Sequence, residues 1–371
     1  MAFSATTDTL PTLVLLGRAL GDGPGAPVGD AAGPVNAPLL VALASMHLVT
    51  PALQPRLGKV LGTNLDGELE RYLAVLRALN RARNRRLRAQ LGDLVAALNT
   101  VGIEPILLKG MAHFALGVYE DDADRVIGDI DVLVAGEQLG TALGVLRDMD
   151  YRSYGEDAGH NHRHHYPPVA RDDSEAWVEL HKAASPCHRA LPMLALIRHA
   201  RRISLGSGAA AVPCPDDLIV HNIAHSQLHQ RGFWSAEFSL RDAYDLVLLA
   251  RHFRDEFDWP RLTSRMAAGL GRHTAGFYVR RAHRLLGQPP PPLPWPWGAR
   301  FADWRWHLHA RGRMVGLQQA TRVVAHELQA LRQAMGTPAA PRLLDPGWYG
   351  RHLRRLRGPP GGWRGDRLGL D

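Results

Sequence analysis

The chain has 371 residues, 46% hydrophobic and 22% charged, which is ordinary for a globular protein with room for at least one full core. No apolar run approaches the ~20 residues that span a bilayer, and the N-terminus shows no basic region followed by an apolar block, so a cytoplasmic protein with no membrane partner is expected. Two cysteines, Cys187 and Cys214, are too few for a disulfide scaffold. The net charge of +8 favours polyanionic partners, but arginine supplies nearly all of it; the lysines are Lys59, Lys109 and Lys182.

In chain order, residues 1–36 read as a short helix over the apolar patch 10–20 and a Gly/Pro-rich connection. An apolar helix follows over 38–53, bent or stopped by Pro51. Residues 67–100 carry the strongest helical periodicity. One stripe runs Leu69, Tyr72, Leu73, Leu76, Leu79, and Leu87, Leu91, Leu94, Val95 and Leu98 continue it. The four arginines of 81–86 read as a solvated helix face in preference to a phosphate-contacting patch.

Residues 101–134, VGIEPILLKGMAHFALGVYEDDADRVIGDIDVLV, carry the chemistry. Ile106, Leu107 and Leu108 form a short apolar strand. Lys109-Gly110 turns it into a helix over 111–119, and 127–134 returns as a buried strand interrupted only by Asp129 and Asp131. Alternation puts both aspartates on one face. Two carboxylates on an apolar strand are costly without a partner, and a hard divalent cation such as Mg²⁺, shared with substrate phosphates, is the natural one. The helix opened by Lys109-Gly110 presents amides that suit a phosphate. Together these point to phosphoryl or nucleotidyl transfer.

Further on, 137–149 reads as a helix and 151–154 as a strand. The cluster His160, Asn161, His162, Arg163, His164, His165 reads either as a polar loop or as a contact for a phosphate or acceptor; zinc binding is the weakest reading. The strand 176–182 puts Trp177, Glu179 and His181 on one face. A helix from Pro215 to about Gln230 carries His221, His225 and His229 every fourth residue, read as packing histidines. Ser239 and Asp242 form a capping box. Residues 288–298, QPPPPLPWPWG, read as a stiff spacer, and 301–335 as an arginine-rich helical region.

The segments LLKG, GDIDVLV and VELHK resemble the polymerase-β-like nucleotidyltransferase superfamily, most closely an uncharacterised bacterial branch, as a weak pattern over about 40–255. The chain departs from the superfamily's usual Gly followed by Gly or Ser, and its gap from Gly110 to Asp129 is longer. The resemblance implies an α+β fold, a small mixed sheet with N-terminal helices and a helical C-terminal region. It is divided here as 1–100 (helical), 101–205 (core), 206–287 (helical) and 288–371 (spacer and basic helical region). It implies that Glu179 completes a triad with Asp129 and Asp131 around Mg²⁺ or Mn²⁺, that Lys109 and Gly110 hold the phosphates of an NTP, and that Asp245 has a structural role. The implied activity is transfer of a nucleoside monophosphate to a hydroxyl-type acceptor: small molecule, peptide, protein or RNA. The alternatives are a non-catalytic nucleotide- or partner-binding protein on the same scaffold, and an RNA-modifying transferase.

Overall fold

The computed structural model describes residues 8–21, 35–62, 65–153, 165–185, 190–230, 232–267 and 271–313. The chain divides into two units, Met1–Gly312 and Arg313–Asp371. The histidines 160, 162 and 164, and the helical region expected beyond 313, lie outside the described residues. No helix among the described residues is long and apolar enough to cross a membrane.

Among the described residues the first helices are α1 (Leu10–Leu20), α2 (Ala37–Met46) and α3 (Thr50–Leu61). The single helix expected over 38–53 is therefore two. Leu48, at φ 55°, breaks the path, and Pro51 starts α3 instead of stopping a helix, because a first-turn proline loses no intrahelical bond. Pro55, inside α3, has no N–H for the carbonyl of Pro51. The Arg77 guanidinium donates to that carbonyl at 3.4 Å.

Helix α4 (Gly67–Thr100) starts on an Asp66 cap and runs 34 residues. Its first-half stripe differs from the expected one. Tyr72 and Leu79 are exposed, whereas Arg77, Asn80 and Asn84 are buried. These polar side chains grip the loop ahead of the aspartate strand. Asn80 Nδ2 donates to the carbonyls of Ala123 (2.8 Å) and Arg125 (3.1 Å), and Asn84 Nδ2 to Asp122 (2.6 Å) and Arg125 (2.9 Å). Arg77 pairs with Asp121 and Asp124, Arg81 with Asp121, Arg88 with Asp122, and Arg56 of α3 with Asp124. Arg83 donates to the carbonyls of Ile127 and Glu175. The arginines of 81–86 are thus not simply a solvated face: Arg81, Arg83 and Arg86 close onto loops whose carbonyls and carboxylates need donors.

The mixed sheet has the order β3-β4-β5-β2-β1-β7-β6. Its strands are β1 (Ile106–Leu107), β2 (Asp129–Leu133), β3 (Arg152–Ser153), β4 (Val169–Ala170), β5 (Trp177–His181), β6 (Arg201–Leu205) and β7 (Gly208–Val212). Between them lie α5 (Lys109–Ala115), α6 (Leu139–Asp148) and α7 (Met193–His199). β2 runs antiparallel to β1 and parallel to β5, and the face carrying Ile130, Val132, Val178 and Leu180 is buried. The β6–β7 hairpin was not expected. Alanine-rich β7 lacks β-branched residues before Val212, and its partnering depends on the turn at Gly206, φ 60°.

Among the described residues the unit continues with the α-helices α8 (Pro215–Ile223), α9 (Gly232–Ser235), α10 (Leu240–His252), α11 (Trp259–Arg265), α12 (Gly271–Leu285) and α13 (Trp297–Ala310). The Ser239 hydroxyl accepts from Asp242 N and caps α10, as the sequence indicated. The proline-rich stretch lies against α12: Leu293 is buried, the Arg280 guanidinium sits 4.6 Å from the Trp295 ring centre, and a Cβ on Gly276 would fall 2.7 Å from the Pro294 carbonyl oxygen.

Candidate functional site

The parallel register of β2 and β5 sets Asp131 opposite Glu179, Asp129 opposite Trp177 and Leu133 opposite His181. Directly opposed residues share a sheet face, so Asp129, Asp131, Glu179 and His181 all project to one side. Ile130, Val132, Val178 and Leu180 fill the other and are fully buried.

Asp131 is the hub. It is 1% exposed, and its Oδ1 accepts from Lys109 Nζ at 2.6 Å and lies 2.7 Å from His181 Nε2. The same His181 nitrogen stands 3.5 Å from Glu179 Oε2. Ligand atoms of Asp131, Glu179 and His181 all lie within 4.8 Å of one another, close enough to share one cation. His181 therefore joins the acids as a candidate ligand, where the sequence reading set it on the face of Glu179, near the acceptor or base. Its signal was present as the alternation of Glu179 and His181. His165 completes this edge, bridging the His181 backbone with the rings 5.3 Å apart.

Burial dominates the proton affinities here, and the neighbours decide their direction. Burial, followed by the charge of Asp131, raises Asp129 from 3.8 to about 6. Burial also works against ionised Asp131, but Lys109 and His181 together hold it well below the usual carboxylate range. Against burial, His181 brings Glu179 down, and Asp131 and Glu179 raise His181. Lys109 is raised because three carboxylates outweigh its burial.

Lys109 reaches Asp131 because its own backbone is left-handed, φ 48°, where β1 turns into α5. A non-glycine residue there is strained, and such strain gathers at functional sites. The next residue must be glycine for a packing reason: a Cβ on Gly110 would lie 2.3 Å from an Arg125 guanidinium nitrogen. Arg125 is in turn fixed by Asp245, with Nε to Oδ1 at 3.0 Å and Nη2 to Oδ2 at 2.7 Å. The Tyr119 hydroxyl also bonds Asp245, and His113 Nδ1 lies 3.5 Å from it. Asp245 thus anchors the loop and helix that carry the turn, and Arg125, Tyr119 and His113 join it as residues the sequence reading had not singled out.

His221 of α8 and His225 just beyond it lie within reach of the charges of Lys109 and Asp131. His221 is buried, its pKa pushed down to about 3 by burial and then by Lys109, and its Nε2 has no hydrogen-bond partner among the described residues. His225 follows on a π-helical segment, Ala224–His229, a rare geometry common at functional sites. The ring pairs 221–225 and 225–229 are 6.3 and 5.5 Å apart.

This donor set fits a divalent cation. Two carboxylates and an imidazole converge, a third carboxylate is held ready two residues away, and the Lys109 ammonium already occupies a cation's place on Asp131. A model of a family of uncharacterised nucleotidyltransferases matches residues 33–287, more than half of the chain. The chain belongs to that family. A comparison with curated proteins finds no match. The matched span takes in the arginine-rich α4, both site strands and the α8–α10 helices, so this nucleotidyltransferase-family protein carries its acids within the matched region.

One expectation follows from Asp129. Its folded pKa, about 6, is above the 3.8 of a free aspartate, so its contribution to stability is greatest below about pH 4 and declines as pH rises through 6. A cation reverses that preference by favouring the ionised form. Mn²⁺ affinity should therefore fall as pH is lowered from 7 to 5, with proton release on binding. Titration calorimetry in buffers of differing ionisation enthalpy checks this, and an affinity unchanged across that range refutes it.

Proposed function

We propose that this protein moves a nucleoside monophosphate from an NTP to a hydroxyl-type acceptor, with release of pyrophosphate, on a polymerase-β-like nucleotidyltransferase scaffold. The observation that carries this reading is the register that sets Asp131 beside Glu179 on one face, with Asp129 two residues earlier. Asp129, Asp131 and Glu179 would hold Mg²⁺ or Mn²⁺, joined by His181. When bound, the metal ions supply charge neutralisation at the acceptor and leaving oxygens.

The chain's own groups do the rest. The acceptor oxygen attacks the α-phosphorus, the bond to the β-phosphate oxygen breaks, and the acceptor proton passes to Glu179. Where a cation shared Asp131, the Lys109 ammonium would be available to the β and γ phosphates of the NTP at the turn into Gly110. Lys109→Ala should then weaken NTP binding about tenfold or more, as loss of a charged hydrogen bond does, and leave NMP binding nearly intact. Equal losses for the two nucleotides would assign Lys109 to packing instead.

The Lys109–Asp131 pair also favours a second reading, a nucleotide-binding protein without turnover, because it satisfies the most buried acid internally. Incubation with each α-³²P-labelled NTP, Mg²⁺ or Mn²⁺ and cell extract separates the two. Transfer of label by the wild-type chain, absent with Asp131→Asn, supports the enzyme. Metal-dependent NTP binding with no label transferred from any of the four supports the binder.

A further inference from the structure

Away from the carboxylate site, α13 presents Trp297, Phe301 and Trp304 on one face, at i, i+4 and i+7. They are 77%, 49% and 48% exposed. The rings of Phe301 and Trp304 are stacked, 5.7 Å apart and inclined by 28°. Their exposure does not come from a loosely held helix. On the inner side Trp306 and Ala302 are buried, and Arg281 of α12 pairs with Asp303. Trp304 also lines a cleft of about 540 Å³ together with Arg284, Trp295, Arg300, Asp303 and His307. The aromatic face and the cleft are therefore continuous.

The charge of this surface is one-sided. Asp303, the one acid in the cleft, is neutralised by Arg281, with Nε to Oδ1 at 2.9 Å. Arg284 and Arg300 are both exposed beside it. Arg300 Nε donates to the Trp295 carbonyl at 3.1 Å, and the Arg280 guanidinium lies over the Trp295 ring. Aromatic planes interleaved with guanidinium groups are what a single-stranded nucleic acid needs. Bases stack on the rings without regard to sequence, and arginine takes the phosphates.

We propose that the α13 face and its cleft form a binding surface for single-stranded nucleic acid, RNA in the first instance. The surface is separate from the metal and nucleotide site, and its occupancy does not require transfer chemistry. The test uses the full chain in EDTA, without nucleotide, and a fluorescein-labelled U12 RNA followed by anisotropy and tryptophan emission. Wild-type protein should bind with quenched tryptophan emission and an affinity that falls with salt. Trp297→Ala/Phe301→Ala/Trp304→Ala should bind at least about tenfold more weakly, show no quench and keep the salt slope. Arg284→Ala/Arg300→Ala should make that slope shallower by about 1.4, about 0.7 for each single-strand phosphate that an arginine no longer neutralises. Circular dichroism checks the fold of both variants. Three results overturn the proposal: no RNA binding by the wild-type chain, wild-type affinity in the aromatic variant, or anionic phospholipid vesicles binding through these rings while RNA does not. None of these bears on the transfer reading, which is judged by label incorporation alone.

Discussion

Asp245→Ala is expected to lower the unfolding free energy by about 3–5 kcal/mol, the usual cost of leaving a buried charge without its partner. The Arg125 guanidinium is buried and meets both Asp245 oxygens, and Tyr119 and His113 converge on the same carboxylate. Arginine cannot shed its proton to escape, so the variant must hold an uncompensated charge or open the loop to water. Tyr119→Phe removes one hydrogen bond to a charged carboxylate and should cost about 1.5–3 kcal/mol. Urea unfolding of the three proteins measures both values. A loss below about 1 kcal/mol for Asp245→Ala would show that the loop relaxes and re-solvates Arg125. Because Arg125 lies against Gly110, the larger loss should also loosen the Lys109 turn and weaken NTP binding.

Asp131→Asn should lower turnover by on the order of a thousandfold or more, since an amide holds a cation poorly and the charge it positions stabilises the transition state. Mn²⁺ binding should disappear in parallel. The substitution keeps the shape of the side chain but removes the charge that meets Lys109 and His181, so the released ammonium should be drawn to Asp129 and Glu179. Circular dichroism and the unfolding midpoint establish that the variant is folded, and equilibrium Mn²⁺ binding is the deciding measurement. Wild-type metal affinity in a folded Asp131→Asn protein would end the metal reading of this site.

Alternation made the shared face of the acids legible in the sequence. GDIDVLV fixes which side Asp129 and Asp131 take, and WVELH does the same for Glu179 and His181. The in-register pairing of the two strands is a long-range fact that alternation within one strand cannot supply. The buried face of α4 was misread for a related reason. Periodicity counts apolar residues, and this helix buries Arg77, Asn80 and Asn84 because its neighbour is a loop full of carbonyls and carboxylates. The role of Gly110 was obscured in the same way. The sequence shows a glycine before a helix, which suits a phosphate, but not the Arg125 guanidinium that requires one. His221 carried a signal in its spacing, yet only the third dimension sets it near Lys109.

The arginine and asparagine grip of α4 on the loop 121–127 has a consequence for how such chains are recombined. A chimera that takes its aspartate strand from one relative and its long helix from another would retain every acid at the site. It would still mismatch the polar side chains that fix where the strand begins. Residues 77–88 and 121–127 should therefore behave as one unit of inheritance, exchanged together or not at all. A single-segment swap should be rescued by transplanting the other, distant though the two are along the chain.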